Sequence, residues 1–382
     1  MRRSTLVWIT ACGTAALAAV LVVALWSTGV FRPDPPSAQT SDGDGPVVTE
    51  TLNPKETSAE FLDQWVNDDG RVVRRDQGGD TVSEGQAYGL LIAIGADDEE
   101  SFTRIWQWTE ANLVRSDGLL AWRWDDGGIV DSEPASDADL DAARALIVAG
   151  ERFDRPEFTT AGISLSSTIL DEMTAETPLG RILLPGLWAQ GGPDYFYNPS
   201  YASPVAFALL GEATGDTRWA ELEAGAGAVS AALLEESPLP PDWAQVTSTG
   251  EVNAMPGAGG KGDDVRYSYD AARLPIRFAE SCHSEDRRIA AAVLDPLSGQ
   301  ERLAAALDLG GAALNPDEHP LAYLARAASA SASGQERPAR EDIERARLLG
   351  QEFGTYYGAA WTALGRLMLE TDRLGGCAPL TG

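Results

Sequence analysis

The feature that most constrains this chain is an alternation of two kinds of helical segment along its main body. In one kind the apolar residues follow a single face, as in 99–113, where Phe102 and Ile105 share a stripe. In the other kind, such as 140–150 and 359–369, the segment is apolar almost all round, which predicts burial on every side. Every second helix is therefore expected to lie inside the fold.

Helical periodicity predicts roughly twelve such segments, and strand patterns are sparse, the best covering 181–187. The approximate helical bounds are 56–67, 84–96, 99–113, 137–152, 156–173, 201–213, 216–236, 269–280, 284–295, 320–332, 337–351 and 356–370. This alternation predicts an all-α fold, a closed double ring in which parallel inner helices place their N-termini on one rim. A solenoid of helical hairpins is the alternative, although no repeat of fixed length supports it.

The N-terminal segment 1–31 is predicted to be a membrane anchor. Residues 5–30 contain no charged side chain, and Arg2 and Arg3 precede them. This length suits one transmembrane helix, and the arginines favour a cytoplasmic N-terminus with the rest of the chain outside. A cleaved signal peptide is the alternative. Residues 32–53 are rich in Pro, Ser, Asp and Gly and predict a flexible linker, which leaves 54–382 as the folded domain.

The composition limits the chemistry that this chain can support. It has 29 basic and 58 acidic residues, a formal charge of −29, so nucleic acid is excluded as an expected partner. With two histidines and three cysteines, neither a histidine-rich zinc site nor a Ser/His triad is expected. We therefore predict chemistry based on carboxylates, hydroxyls, amides and aromatic rings, without a metal or cofactor.

Two cysteines lie in the predicted extracytoplasmic part. Cys282 and Cys377 are expected to form a disulfide, because bonds of this kind persist in oxidising compartments. The alternative is two independent buried thiols.

Four unusual polar clusters occur at the predicted starts of inner helices. They are 83–89, 135–139, 198–201 and 267–271. Each one taken singly fits helix capping, since acidic residues in a first turn are favoured by the helix dipole. Their number and their neighbouring aromatic residues favour a functional role in addition, because a closed ring would bring all four to one rim.

These clusters also resemble the ordered motifs of glycoside hydrolase family 8, over roughly residues 61–369. The matching elements are Ser-Glu-Gly-Gln-Ala-Tyr-Gly at 83–89, Ala-Ser-Asp-Ala-Asp-Leu at 135–140, Asn-Pro-Ser-Tyr at 198–201 and Tyr-Asp-Ala-Ala-Arg-Leu-Pro at 269–275. The resemblance implies an (α/α)6 barrel of six inner and six outer helices. It also implies an inverting glycosidase of a family that includes endo-β-1,4-glucanases, lichenases, chitosanases and some xylanases.

The resemblance implies a role for each of four residues. Glu84 matches the general acid and Asp270 the general base, while Asp137 matches a sugar contact at the cleavage subsite. Tyr201 matches a tyrosine that helps to hold the attacking water. An inverting glycosidase needs its two carboxyl groups about 6.5 to 9.5 Å apart. Because a helix N-terminus favours the carboxylate anion, burial or the charge of Asp137 must raise the pKa of Glu84.

Substrate contacts are expected from aromatic platforms and from polar groups at their rims, since sugar rings present apolar faces. Trp122 and Trp124 lie in the loop that leads to Asp137 and are the first candidates. The complete expected set is Gln86, Tyr88, Trp122, Trp124, Asn198, Tyr269, Arg273 and Tyr356. Plain core packing for the aromatic residues and a structural salt bridge for Arg273 are the alternatives.

The expected function is a membrane-anchored, extracellular, inverting hydrolase of β-1,4-glucan that acts as a monomer on a polysaccharide partner. A chitosanase or xylanase of the same family is one alternative, and a catalytically idle glycan-binding protein on the same fold is another. The pattern Asp137-x-Asp139-x-Asp141 also imitates the metal box of a terpene-cyclase-like toroid, although no second metal motif follows it.

Overall fold

A computed structural model describes residues 53–262 and 264–380. The predicted membrane anchor at 1–31 and nearly all of the predicted linker at 32–53 lie outside the described residues. Among the residues that are described, no helix combines the length and the hydropathy needed to cross a bilayer.

Helices make up most of the described chain and follow the predicted segments. They are, in chain order, α1 (Pro54–Trp65), α2 (Ser83–Ala96), α3 (Glu99–Asn112), α4 (Ser136–Arg152), α5 (Pro156–Glu172), α6 (Pro204–Thr214), α7 (Arg218–Glu236), α8 (Arg273–Ala279), α9 (Ser284–Ala292), α10 (Leu294–Ser298), α11 (Pro320–Ala332), α12 (Glu336–Glu352) and α13 (Tyr356–Glu370). Every predicted helix is confirmed, and the short α10 is the addition.

The helices form the predicted double ring. Helices α2, α4, α6, α8, α11 and α13 each contact the next in this order, and α13 returns to α2. Outside this ring, α1 and α3 pack on α2, while α5, α7, α9 and α12 pack on the inner helices that precede them. The all-α (α/α)6 barrel is therefore confirmed.

Burial follows the apolar pattern of each helix. Every residue of α2 except Glu84 is buried, whereas α3 buries only one face, which includes Phe102 and Ile105. Helices α2 and α13 approach closely at Gly95, where a Cβ would overlap the side chain of Leu367. A helix with no polar stripe can bury its apolar surface only if other helices pack on every side of it. The alternation of the two kinds of helix therefore leads to an inner and an outer ring.

Ion pairs across the barrel interior show that α4 and α8 run in the same direction. Three buried pairs join residues that are each separated by 136 positions in the chain. They are Asp137–Arg273 at 2.8 Å, Asp141–Arg277 at 2.7 Å and Arg144–Glu280 at 2.7 Å. Because the offset stays constant along both helices, the two are parallel and their N-termini lie at the same end.

Short antiparallel strands occupy the loops that lead into the inner helices. They are β1 (Thr81–Val82), β2 (Arg123–Asp125), β3 (Gly128–Asp131), β4 (Thr174–Thr177), β5 (Gly180–Leu183), β6 (Tyr195–Tyr197), β7 (Trp243–Val246) and β8 (Val252–Met255). They form the sheets β1-β2-β3, β4-β5 and β6-β7-β8. Only β5 was predicted, because strands of two to four residues are too short to show an alternating pattern.

Two inner helices begin later than predicted. Helix α6 begins at Pro204, with the Ser203 hydroxyl accepting from the amide of Ala206, so Tyr201 lies in a 3₁₀ turn ahead of it. Helix α8 begins at Arg273, so Asp270 also lies in a preceding turn. Both side chains therefore project from turns at the rim of the barrel.

The predicted disulfide is confirmed. Cys282 and Cys377 are bonded and join the residues after α8 to the segment after α13. Beside this bond, the amide of Cys377 donates to the carbonyl oxygen of Glu280 at 2.8 Å. The C-terminal segment is thereby fixed to the end of the barrel opposite the inner-helix N-termini.

Candidate active site

The N-terminal ends of the inner helices surround a cavity of about 530 Å³. Each of the six contributes a lining residue from its first turns or from the loop before it. These residues are, in helix order, Glu84, Asp137, Tyr201, Asp270, His319 and Tyr356. The four polar clusters that are separated along the sequence therefore meet at one place.

Glu84 lies in the first turn of α2, directly after strand β1. Its carboxylate accepts hydrogen bonds from the indole Nε1 of Trp122 at 3.2 Å and from the hydroxyl of Ser83 at 3.3 Å. Burial and the nearby charge of Asp137 raise the pKa of Glu84 to about 7, although Trp122 and Arg273 act in the opposite direction. Near neutral pH this carboxyl therefore keeps a large protonated fraction, which a general acid requires.

Asp270 lies in the turn before α8, and its side chain is 33% exposed. Arg273 donates from Nη2 to its Oδ1 at 2.7 Å. The pKa of Asp270 is raised above its usual value by burial and by the charge of Asp242, while Arg273 and, to a smaller degree, the donors of Asn198 and Trp243 act in the opposite direction. Water in the cavity can reach this carboxylate, and its arginine partner favours the charged form that a general base needs.

Arg273 connects the groups on both sides of the cavity floor. From Nη1 it donates to Asp137 at 2.8 Å and to the hydroxyl of Tyr88 at 3.2 Å, while Nη2 holds Asp270. Its guanidinium lies 5.2 Å from the ring centroid of Tyr201. The side chain is 4% exposed, so its geometry is fixed by these partners. Arg273 thus forms the salt bridges of the structural alternative and orients two carboxylates, and its expected contact with substrate remains a prediction.

Below Arg273, two further ion pairs continue into the barrel. Asp141 accepts two hydrogen bonds of 2.7 Å from Arg277, and Glu280 accepts two of 2.8 and 2.7 Å from Arg144. Their side chains are at most 1% exposed. Bidentate pairs of this kind fix geometry, and loss of either partner leaves a buried charge without compensation. They therefore hold α4 and α8 in the register that places Arg273 beneath the cavity.

The three aspartates of the Asp-x-Asp-x-Asp pattern have separate partners. Asp137 and Asp141 pair with arginines of α8, whereas Asp139 accepts from the backbone amide of Leu120 at 2.8 Å. The pattern therefore serves the packing between α4, α8 and the loop that carries Trp122.

The sequence profile of the glycosyl hydrolases family 8 matches residues 53–295, more than half of the chain. This chain belongs to glycosyl hydrolases family 8. The resemblance found in the motifs is thereby confirmed.

Individual relatives agree with this assignment. The probable endoglucanase of Novacetimonas hansenii is 35% identical over 225 residues, which cover 57% of this chain and 64% of the relative. The endoglucanase of Xanthomonas axonopodis pv. citri (strain 306) is 34% identical over 262 residues, 64% of this chain and 65% of the relative. The match thus spans less than two thirds of the length of these curated relatives.

A solved structure extends the likeness to the whole barrel. The endo-β-1,4-glucanase CMCax from Acetobacter xylinum superposes with a TM-score of 0.70 at 27% identity. The match covers 82% of this chain and 97% of that protein. The fold is therefore shared with an endo-β-1,4-glucanase of known structure.

Gln86 does not reach the cavity of this family 8 domain, which corrects its expected role in substrate binding. Its side chain is fully buried, accepting from the amide of Val72 at 2.6 Å and donating to the hydroxyl of Thr109 at 2.8 Å. Its amide groups are used within the protein, and none is left for a sugar. Gln86 instead fixes α2 against α3 and the loop after α1.

The two tryptophans of the loop before Asp137 have different positions. Trp122 donates to Glu84, so its indole nitrogen acts on the carboxyl group that we expect to be the general acid. Neither tryptophan is among the residues that line the cavity. The guanidinium of Arg71 lies 4.3 Å from the ring centroid of Trp124, and Trp108 packs against that ring edge-on. Trp124 is only partly buried, so its role as a sugar platform remains a prediction.

Tyr88, Tyr269 and Tyr356 all line the cavity, as expected of substrate contacts. Tyr269 is 45% exposed and packs edge-on against the ring of His319. The hydroxyl of Tyr356 is buried and has no hydrogen-bond partner among the described residues. These tyrosines are therefore placed to contact a ligand, and their role in binding remains a prediction.

Asn198 is buried next to the cavity and is not one of its lining residues. It is 1% exposed, and its Oδ1 accepts from the amide and the hydroxyl of Ser200 at 3.1 and 2.7 Å. Its amide nitrogen makes no hydrogen bond of ordinary length within the described chain, but it is close enough to Asp270 to lower the pKa of that carboxyl. The structure thus places Asn198 beside the expected base.

Sequence reasoning missed Asp242, Trp243 and His319. Asp242 accepts from the amides of Ser268 and Ala271 at 2.7 and 2.9 Å, and so holds the turn that carries Asp270. Asp242 and Trp243 follow Pro240 and Pro241 in a loop, away from any helix start, so the spacing of helix starts could not identify them. An acidic residue next to tryptophan after two prolines is the signal that the sequence did contain.

Proposed function

We propose that this family 8 chain is an inverting endoglucanase that hydrolyses β-1,4-linked glucan. One observation carries the proposal: Glu84, whose pKa is raised to about 7, shares a cavity with Asp270, which is paired with a buried arginine. A protonated and an ionised carboxyl group are the two catalytic groups of an inverting glycosidase. The glucanase names of the relatives support the choice of substrate.

In the proposed reaction Glu84 donates its proton to the glycosidic oxygen as the bond from that oxygen to the anomeric carbon breaks. Asp270 accepts a proton from a water molecule whose oxygen forms the new bond on the opposite face of the sugar. Arg273 keeps Asp270 oriented toward this water and compensates the charge of Asp137. Exchange with solvent then returns a proton to Glu84 and removes one from Asp270.

A row of aromatic rings leads away from the cavity and supports a polymeric substrate. Trp243 lies 6.1 Å from Tyr201, Trp188 lies 6.2 Å from Trp243, and Phe196 lies 5.8 Å from Trp188, measured between ring centroids. Trp188 is 42% exposed. Such rings can stack on the apolar faces of successive sugars, so a chain could bind beyond the cleaved bond, as internal cleavage requires.

A substrate panel tests the activity. Purified protein is expected to release reducing sugar from carboxymethylcellulose faster than from chitosan or xylan. The first product from a β-linked glucan should carry the α-anomer in NMR spectra taken within the first turnovers. A β-anomer appearing first would contradict inversion, and bound glucan without product would favour the idle glycan-binding alternative.

We further propose that the domain is a monomer held at the outer face of the cell membrane by residues 1–31. The uncharged run at 5–30 after two arginines supports this, as does a disulfide, which is typical of oxidising compartments. The protein is expected in the membrane fraction, and protease added to intact cells should digest its folded domain. Light scattering of the purified protein should give the mass of a monomer. Release of a soluble, N-terminally shortened chain would indicate a cleaved signal peptide instead.

A further inference from the structure

A second cavity of about 720 Å³ lies on the outer ring, between helices α7 and α9. Its walls are mostly small and apolar, with Ala228, Leu234 and Ile289 among them. Among its charged and polar lining residues, which include Glu285 and Arg288, Glu223 of α7 meets His283, directly before α9, and Asp286 of α9. The catalytic mechanism proposed above uses none of these three side chains.

The three side chains bring one donor atom each into a small volume. His283 Nδ1 lies 2.6 Å from Glu223 Oε1 and 4.0 Å from Asp286 Oδ2, and all three atoms lie within 4.8 Å of one another. Ligand atoms around a tetrahedral zinc ion are separated by about 3.4 Å, given metal–ligand bonds of about 2.1 Å. Shifts of about an ångström would therefore convert this cluster into a coordination site.

The donor set selects the class of ion. One imidazole nitrogen with two carboxylate oxygens suits zinc and similar divalent transition metals, whereas calcium prefers six to eight oxygen ligands. We propose that Glu223, His283 and Asp286 form a binding site for a divalent transition-metal ion such as Zn²⁺. With the His283 side chain 59% exposed, water can occupy the remaining coordination position.

The surroundings provide support of the kind found around metal ligands. Asp286 is buried, and its Oδ2 accepts from the Ser281 hydroxyl at 2.6 Å, which orients the carboxylate. His283 follows the disulfide residue Cys282, and its amide donates to the Ser281 hydroxyl at 3.1 Å. The ligands therefore lie on helices and on a covalently fixed turn, and little ordering is left for the metal to impose.

Metal binding would join two outer helices at a point where packing is weak. Helices α7 and α9 are separated there by the apolar cavity, so the ion would link them beside the disulfide that fixes the C-terminal segment. A ligand that binds only the folded state raises stability with its concentration. The proposal concerns stability and is independent of the proposed glucanase activity.

Calorimetric titration of the purified, EDTA-treated chain with ZnCl₂ tests the site. We expect one zinc ion per chain and a melting temperature that rises with zinc concentration. Both H283Q and D286N should weaken zinc binding more than about tenfold. The matched control is E285Q, because Glu285 lies in the same turn of α9 but pairs with Arg288 at 2.8 Å, and this variant should keep the wild-type affinity.

The proposal fails if the wild-type chain takes up no zinc, or if H283Q and D286N bind it as tightly as E285Q does. Circular dichroism establishes that each variant is folded. Anomalous diffraction from zinc-soaked wild-type crystals should show the ion between the three side chains, and a peak elsewhere would overturn the assignment without using any variant. Glucan hydrolysis by metal-free H283Q should equal that of the wild type, so failure of this site and failure of the proposed function are separable.

Discussion

Glu84 and Asp270 line the same cavity, but the protein holds them in different ways. Glu84 lies within α2, a helix of 14 residues whose other members are all buried, and one distant side chain, Trp122, donates to it. Asp270 lies outside α8, a helix of only 7 residues, and depends on Asp242 for its turn and on Arg273 for its charge.

Because Glu84 and Asp270 are held in different ways, the two sides of the cavity are expected to respond differently to mutation. The position of Glu84 follows from a regular buried helix, so nearby substitutions should change its pKa more than its location. The position of Asp270 depends on ion pairs and hydrogen bonds from three segments, so substitutions far along the sequence should disturb it.

The variants E84Q and D270N should each lower turnover of carboxymethylcellulose by about 10²- to 10⁴-fold, because each removes one proton transfer. An aryl cellobioside with a good leaving group needs no proton from the acid. Activity on that substrate should therefore recover in E84Q and stay low in D270N. Equal recovery in both variants would contradict the assignment of Asp270 as the base.

The variant D141A should destabilise the domain by about 3 to 5 kcal/mol, because Arg277 would stay buried without its partner. Urea unfolding followed by circular dichroism measures this. The control is R337A, which removes an exposed pair with Glu341 and should change the free energy of unfolding by less than about 0.5 kcal/mol. Similar changes in the free energy of unfolding for the two variants would show that the Asp141–Arg277 pair does not stabilise the barrel.

The variant D242N should extend activity to lower pH. The Asp242 charge raises the pKa of Asp270, so removing it lowers that pKa and keeps the base ionised in more acidic solution. An asparagine retains an oxygen that can accept from Ser268 and Ala271. In a plot of kcat/KM against pH, the acidic limb should shift to lower pH. The alkaline limb, which reports the pKa of Glu84, should stay at the same pH. Movement of the alkaline limb alone would contradict this.

The variant W122F should have the smallest effect, a shift in the alkaline limb of kcat/KM plotted against pH. Wild-type activity is expected to fall above about pH 7, where Glu84 loses its proton. The hydrogen bond from Trp122 favours the anion, so its loss raises the pKa of Glu84 and extends activity upward by less than about one pH unit. A downward shift of this limb would show that Trp122 stabilises the protonated acid instead.

Much of the fold could be predicted because the apolar pattern is strong and local. The all-round apolar segments containing Leu91 and Leu364 became inner helices, and the amphipathic segment containing Phe102 became an outer one. Glu84 and Asp137 were found because they lie in first turns, where sequence patterns mark a helix start. Tyr201 and Asp270 also lie in polar clusters at predicted helix starts, but α6 and α8 begin later, so the turns that hold both residues were not predicted.

The remaining errors share one physical cause. Gln86 is expected from its residue type to contact substrate, but groups within the protein use its side-chain amide instead. Asp242 was missed because its partners, Ser268 and Ala271, come from another segment. A sequence pattern records the neighbours of a residue along the chain, whereas contacts between segments depend on how the segments pack.

Helical periodicity and burial are local properties that repeat along the chain, so the amino-acid sequence was enough to predict the helices, their order in two rings and the rim at which the acidic residues meet. The causes that shift the pKa of each carboxyl group, and the ion pairs that each one makes, came from the folded structure alone. Those properties depend on desolvation and on charges such as Asp137 and Arg273, whose distances from Glu84 and Asp270 exist only once the ring has closed.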